Sequence, residues 1–207
     1  MTRVYLFKRF ERFWHWSQAA LVLFMLLTGF EVHGMYRLFG WEKAGNLHTV
    51  AAWTLIGLWL FAIFWHFTTG EWKQYIPTTR NMLAVARYYS VGIFTGEPHP
   101  HRVTQLAKHN PLQRVAYLIV KLLINPLLWA SGLVYLYYAE LTRSGVLQLP
   151  LRPIALAHTA AAFMMLIFVI SHIYLSTTGH TPLAHIKAMI TGWDEVETTD
   201  GSPGPAH

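Results

Sequence analysis

An all-α bundle of four membrane-crossing helices is the fold this 207-residue chain predicts, and three observations predict it. Four apolar stretches each approach the ~20 residues that a helix needs to cross ~30 Å of hydrocarbon. The composition is 54% hydrophobic and only 13% charged. Nine Trp and ten Tyr suit aromatic belts at two interfaces.

The first predicted span, 13–32, carries one charge, Glu31, near its end. It is long, its flanks are aromatic, and no small-residue cleavage site follows before Glu31, so it is expected to stay in the mature protein. The second, 47–69, carries none. In the third, 112–138, Lys121 and Pro126 interrupt the apolar run, which a bundle tolerates where neighbours or water satisfy the freed polar groups. The fourth, 154–178, has no Asp, Glu, Lys or Arg at all.

Between the second and third spans, Gly70 to Pro111 is too long to be structureless. Met82, Val85, Tyr89 and Ile93 fall near one stripe there, predicting an amphipathic surface helix on the cytoplasmic side. EPHPHR, with His99 and His101, is turn material and receives no metal role. Residues 1–197 are expected to form a single transmembrane domain, with 198–207 a disordered tail. No internal repeat is evident.

Basic residues set the orientation, because cytoplasmic loops collect Lys and Arg. Eleven of the sixteen lie on the side of the termini, against Arg37, Lys43, Arg143 and Arg152 on the other. Both termini are therefore expected in the cytoplasm. The formal charge of +6 follows from topology and contact with anionic lipid, and its spread over membrane flanks argues against nucleic acid.

Histidines carry the chemistry. His158 and His172 are fourteen residues apart on the fourth span, nearly four helical turns and ~21 Å, so both imidazoles leave one face at two depths. His48 opens the second span at the outer level, and His15 lies near the inner end of the first. Two pairs result: His48 with His158, and His15 with His172. Ionisable groups inside spans are functional candidates by default. Two b-type haems, each with two axial imidazoles, fit such stacked pairs and suit electron transfer, because no position is left open for oxygen. Zinc fits worse, since four His at two depths cannot converge on one tetrahedron. The absence of Cys excludes disulfides, C-x-x-C-H haem attachment and Cys-ligated iron–sulfur clusters. His66, eighteen residues after His48, shares its face and competes with His15 for the inner iron.

RFWHW (12–16), NLHTVAAW (46–53), HNPLQR (109–114), LAHTAAAFMMLIFVISHIYL (156–175) and HIKAMITG (185–192) together resemble a family that they match in order over nearly the whole length. It comprises the four-helix dihaem cytochrome b subunits of respiratory formate dehydrogenases, nickel–iron hydrogenases and thiosulfate reductases. The resemblance implies His15 with His172 on the inner haem and His48 with His158 on the outer one, favouring His15 over His66. It also implies a quinone pocket at Asn110 and Gln113, although Asn110 before Pro111 is equally a good helix cap. Lys121 has no role in that pattern.

What the resemblance implies is a multi-pass cytochrome b of the bacterial cytoplasmic (inner) membrane. It would relay electrons between quinone and a periplasmic or membrane-bound redox subunit, such as a multihaem cytochrome c, an iron–sulfur protein or a molybdenum or nickel enzyme. Substrate catalysis would belong to that partner. Alternatives are a free-standing quinone reductase, a His-relay transporter or a haem-free anchor. Co-purification of a large subunit argues against the first, and a Soret band against the other two.

Overall fold

The computed structural model describes residues 2–78, 81–97, 100, 108–178 and 181–196. Four long helices dominate it: α1 (Arg9–Val32), α2 (Trp41–Thr69), α4 (Pro111–Leu136) and α6 (Leu151–Ser176). Each is long and apolar enough to cross a membrane. Between α2 and α4 runs a short helical stretch, α3, from 82 to 95. Two further short α-helices, α5 (Tyr138–Arg143) and α7 (Ala184–Thr191), and a 3-10 turn over Glu71–Tyr75 complete the helical set described.

Three of the long helices begin several residues before the predicted apolar runs, because polar groups make their ends. At α1 the Lys8 backbone N–H donates to Glu11 Oε2 at 2.7 Å, so the helix starts upstream of Phe13. Ahead of α2, Glu31 reaches back from the last turn of α1 and its Oε1 accepts the N–H groups of Leu38, Phe39 and Gly40 at 2.7–2.8 Å. That carboxylate ties the connection and fixes where α2, and with it His48, begins. Pro153 sits in the first turn of α6, where no intrahelical donor is needed.

In α4 the regular ladder gives way to a π turn over Val120–Ile124. Pro126 explains its place: proline has no N–H and crowds the carbonyl four residues back, here Leu122. One wider turn relieves that clash without ending the helix.

Helix α1 packs on α2 and α4 packs on α6, giving two antiparallel hairpins whose histidines face each other. Val120, Ile124 and Met165 make a buried apolar cluster with Val22 and Phe168 packed against it. Trp59 stacks edge-on against Trp129, and its indole N–H donates to Gln18 Oε1 at 3.1 Å, joining α1, α2 and α4. Large apolar side chains such as Leu60, Phe64, Leu122 and Ile167 point outward, as lipid-facing positions do.

The stripe expected on the surface helix is present but faces protein. Val85 is fully buried, α3 packs against the start of α4, and Asn110 Nδ2 donates to Tyr89 Oη at 3.2 Å. Leu83, Val91 and Phe94 are the large apolar side chains of α3 left exposed. His99, His101 and the tail at 198–207 lie outside the described residues.

A two-stranded antiparallel ribbon was not expected. β1 (Thr2–Tyr5) pairs with β2 (Trp193–Val196), setting Arg3 opposite Glu195 and Tyr5 opposite Trp193. The carbonyl of Gly192 accepts the N–H groups of Leu6 and Phe7. Such a short ribbon is marginal alone, and α7 supports it: Arg12 donates to the carbonyl of Ile190 at 2.6 Å and Trp16 to that of Met189 at 3.2 Å, satisfying carbonyls that a helix end leaves bare. Both described ends of the chain thus lie on one side of the bundle.

Gly192→Ala is expected to open this ribbon. Its φ of +89° costs a side chain about 1–2 kcal/mol. The added Cβ would also stand 2.6 Å from the Tyr5 ring and 2.8 Å from the Phe7 carbonyl oxygen. Amide hydrogen exchange over residues 2–7 should accelerate; unchanged protection would refute the clamp.

Candidate functional site: two stacked histidine pairs

RFWHW places its central histidine by what its neighbours do. Arg12 and Trp16 hold α7, and Trp14 lies edge-on to His66. His15 is left facing α6, with its ring centroid 6.0 Å from that of His172 and the planes 51° apart. At the other end of the bundle, His48 and His158 stand 6.3 Å apart with an interplanar angle of 74°. Two imidazoles on opposite sides of one metal ion, each bonded at about 2 Å, have centroids roughly 6 Å apart. Both pairs therefore fit a shared iron, and the fourteen-residue spacing along α6 separates them by ~21 Å.

The pairs differ in their surroundings. His48 Nδ1 lies 3.0 Å from Thr28 Oγ1, a hydroxyl with no solvent exposure. His158 Nδ1 lies 3.1 Å from Ser131 Oγ and 3.2 Å from the Leu128 carbonyl. At the other level, His15 Nδ1 is buried with no hydrogen-bond partner among the described residues. His172 stacks on Phe168 and meets the Tyr117 ring edge-on.

His66 joins neither pair. Its Nδ1 contacts the Ala62 carbonyl at 2.6 Å, its Nε2 lies 3.4 Å from Tyr75 Oη, and its ring neighbours are Trp14, Trp65 and Tyr75. Both nitrogens are engaged, one with the Ala62 carbonyl and the other with the Tyr75 hydroxyl.

Asn110 and Gln113 form a reciprocal cap on α4. Asn110 Oδ1 accepts from the Gln113 N–H at 2.8 Å, while the Asn110 N–H donates to Gln113 Oε1 at 3.0 Å. Close by, His109 packs against Tyr75 and Tyr117, forming a ring chain that reaches His172. Burial, with Lys108 and Lys121 nearby, pushes the His109 imidazole down to about 3, so it stays neutral. Burial likewise raises Tyr75 and Tyr89 above the ordinary phenol range. The Lys121 ammonium sits 3.1 Å from the Tyr75 ring centroid, a cation–π contact inside the bundle.

Sequence reasoning missed Thr28, Ser131 and the Tyr75–His109–Tyr117 group. The available signal was small: Thr28–Gly29 and Ser131–Gly132 each put a hydroxyl beside a glycine mid-span, and HNPLQR contains His109 itself. Gly132 makes room for a histidine ring, a Cβ there standing 3.0 Å from His158 Cε1, whereas one on Gly29 would stand at an ordinary 3.5 Å from His48 Cε1. A Cβ on Gly57 would meet nothing within 4 Å.

Four apolar helices with facing histidine pairs define a multi-pass membrane protein of the cytochrome b class. Residues 6–192 match the family of prokaryotic cytochrome b561, and the chain belongs to that family. It is 34% identical over 204 residues to the Escherichia coli (strain K12) protein named "Putative cytochrome YdhU", covering 92% of this chain and 74% of that one. No solved structure matches. Membership makes this a membrane cytochrome b, binding b-type haem and serving electron transfer.

Proposed function

We propose that the chain holds two b-type haems, one between His48 and His158 and the other between His15 and His172. It passes electrons between a quinone and a redox partner as the membrane-anchor, quinone-reactive subunit of a respiratory oxidoreductase. The supporting observation is the pair of 6.0 and 6.3 Å imidazole separations at two levels. The excess of Lys and Arg on the side of the termini supports cytoplasmic ends in a bacterial inner membrane. His48 and His158 then mark the outer level, with a periplasmic partner on loops 33–46 and 139–153.

Haem bound at these pairs supplies one-electron transfer without an open ligand position. The chain's own groups do the rest. Phe168 stacks on His172 and limits its rotation. Beside it the quinone lies against His109, Tyr117 and the α4 cap. There the cap occupies the side-chain oxygens of Asn110 and Gln113, so the Gln113 amide N–H groups serve a quinone carbonyl. Neutral His109 and Tyr75 offer donors there, with Lys108, Lys121 and Arg114 the charges near His109.

A pyridine haemochrome assay on the purified protein should return two haems b per chain, and quinol should reduce them. A missing Soret band in helical protein would leave an anchor or transporter instead. Gly132→Ala should disturb the outer haem far more than Gly29→Ala, since 3.0 Å from His158 is too close and 3.5 Å from His48 is ordinary contact. Haem content and the α-band of the two variants provide the check; equal behaviour would refute the close approach at Gly132.

A further inference from the structure

Thr28 and Ser131 occupy matching places in the two hairpins. Thr28 precedes Gly29 on α1 and meets His48 on α2; Ser131 precedes Gly132 on α4 and meets His158 on α6. Each hydroxyl donates to the carbonyl four residues back, Thr28 to Phe24 at 2.9 Å and Ser131 to Leu127 at 2.5 Å. A hydroxyl has one proton to give. With that proton on the helix carbonyl, only a lone pair faces the imidazole, so Nδ1 must be the donor in both contacts. The Leu128 carbonyl, 3.2 Å from His158 Nδ1, can only accept and demands the same tautomer. Nε2 of each ring is thereby left bare, as an iron ligand requires.

The inner pair has no equivalent. His15 Nδ1 is buried without a partner among the described residues, and the His172 ring packs against Phe168, Tyr117 and His15. A ligand whose ring N–H is held by an acceptor is more basic, and a more basic ligand favours ferric over ferrous iron.

We propose that Thr28 and Ser131 are positioning residues that fix the tautomer of His48 and His158 and hold the outer haem at a lower reduction potential than the inner one. This rests on the two-haem assignment above and adds a direction to it. Haem held by His48 and His158 would then supply an electron-transfer centre of lower potential than haem held by His15 and His172. The outer partner supplies electrons; two of them, with two protons, convert quinone to quinol at the inner level.

Redox titration of the purified holoprotein, followed in the α-band, tests this. Wild type should show two components, and His158→Ala should remove the lower one. Thr28→Val with Ser131→Ala should shift the lower component upward and leave the higher one in place. Thr28→Ser with Ser131→Thr, which keeps both hydroxyls, should restore the wild-type value. Where the double variant fails to retain haem, Ser131→Ala alone carries the comparison. Loss of the higher component in His158→Ala, coincident potentials in wild type, or an unmoved lower component in the hydroxyl-free variants would overturn the proposal. A haemochrome count other than two in wild type would instead overturn the two-haem assignment itself.

Discussion

His172→Ala is expected to bind one haem per chain, against the two proposed for the wild type, and to lose reduction by quinol. The ring it removes stands 6.0 Å from His15 and stacks on Phe168, so the change would take away one of the two imidazoles proposed to hold the inner haem. His158→Ala should also bind one haem but keep reduction by quinol, because the level near the α4 cap is intact. His66→Ala is the contrast. Its nitrogens serve the Ala62 carbonyl and Tyr75, so both haems should remain. Haemochrome stoichiometry and quinol-reduced spectra separate these outcomes. Two haems retained in His172→Ala, or one lost in His66→Ala, would reassign the inner ligand.

Lys108→Met should cause the largest loss of stability of any single charge removal. The ammonium meets both Glu11 oxygens at 2.8 and 3.1 Å and Glu71 Oε2 at 3.2 Å, with Lys108 only 8% and Glu11 only 9% exposed. Lys8 adds a 2.6 Å contact to the other Glu71 oxygen. Without Lys108, Glu71 keeps Lys8 but the largely buried Glu11 carboxylate loses its cation, at a cost of about 3–5 kcal/mol. Denaturation followed by loss of the haem absorbance reads this directly. A change under about 1 kcal/mol would show that water reaches the cluster.

Acid should narrow the gap. Burial works against charge on Glu71, but Lys8 and Lys108 hold its carboxyl below the ordinary value of 4.5. That contribution is complete above 4.5 and disappears as pH falls through the depressed native value. The difference between wild type and Lys108→Met should therefore shrink in acid. Lys8 runs the other way: Glu71 raises it above 10.5, so its share is lost only in alkali, as pH climbs through the elevated value.

These residues show where sequence reading stops. Four spans were legible because a bilayer demands length and apolarity, which any window reveals. The histidine pairs were legible because fourteen residues on a helix is a statement about direction as well as distance. Lys8, Glu11, Glu71 and Lys108 read singly as flanking charges, since their meeting depends on contacts 97 residues apart in sequence. The β1–β2 ribbon was hidden for the same reason, its strands being four residues long at opposite ends of the chain. Thr28 and Ser131 look like ordinary small residues until the facing helix supplies an imidazole. His66 shows the converse, since spacing put it on the right face but Tyr75 and Ala62 decided its orientation.

The π turn at Val120–Ile124 divides α4 into two stretches with different phases. One surplus residue rotates everything beyond it by about 100°. Tyr117, ahead of the turn, meets His172, and Ser131, after it, meets His158. Proline's awkwardness is thus absorbed within one helix that touches its neighbour at two levels.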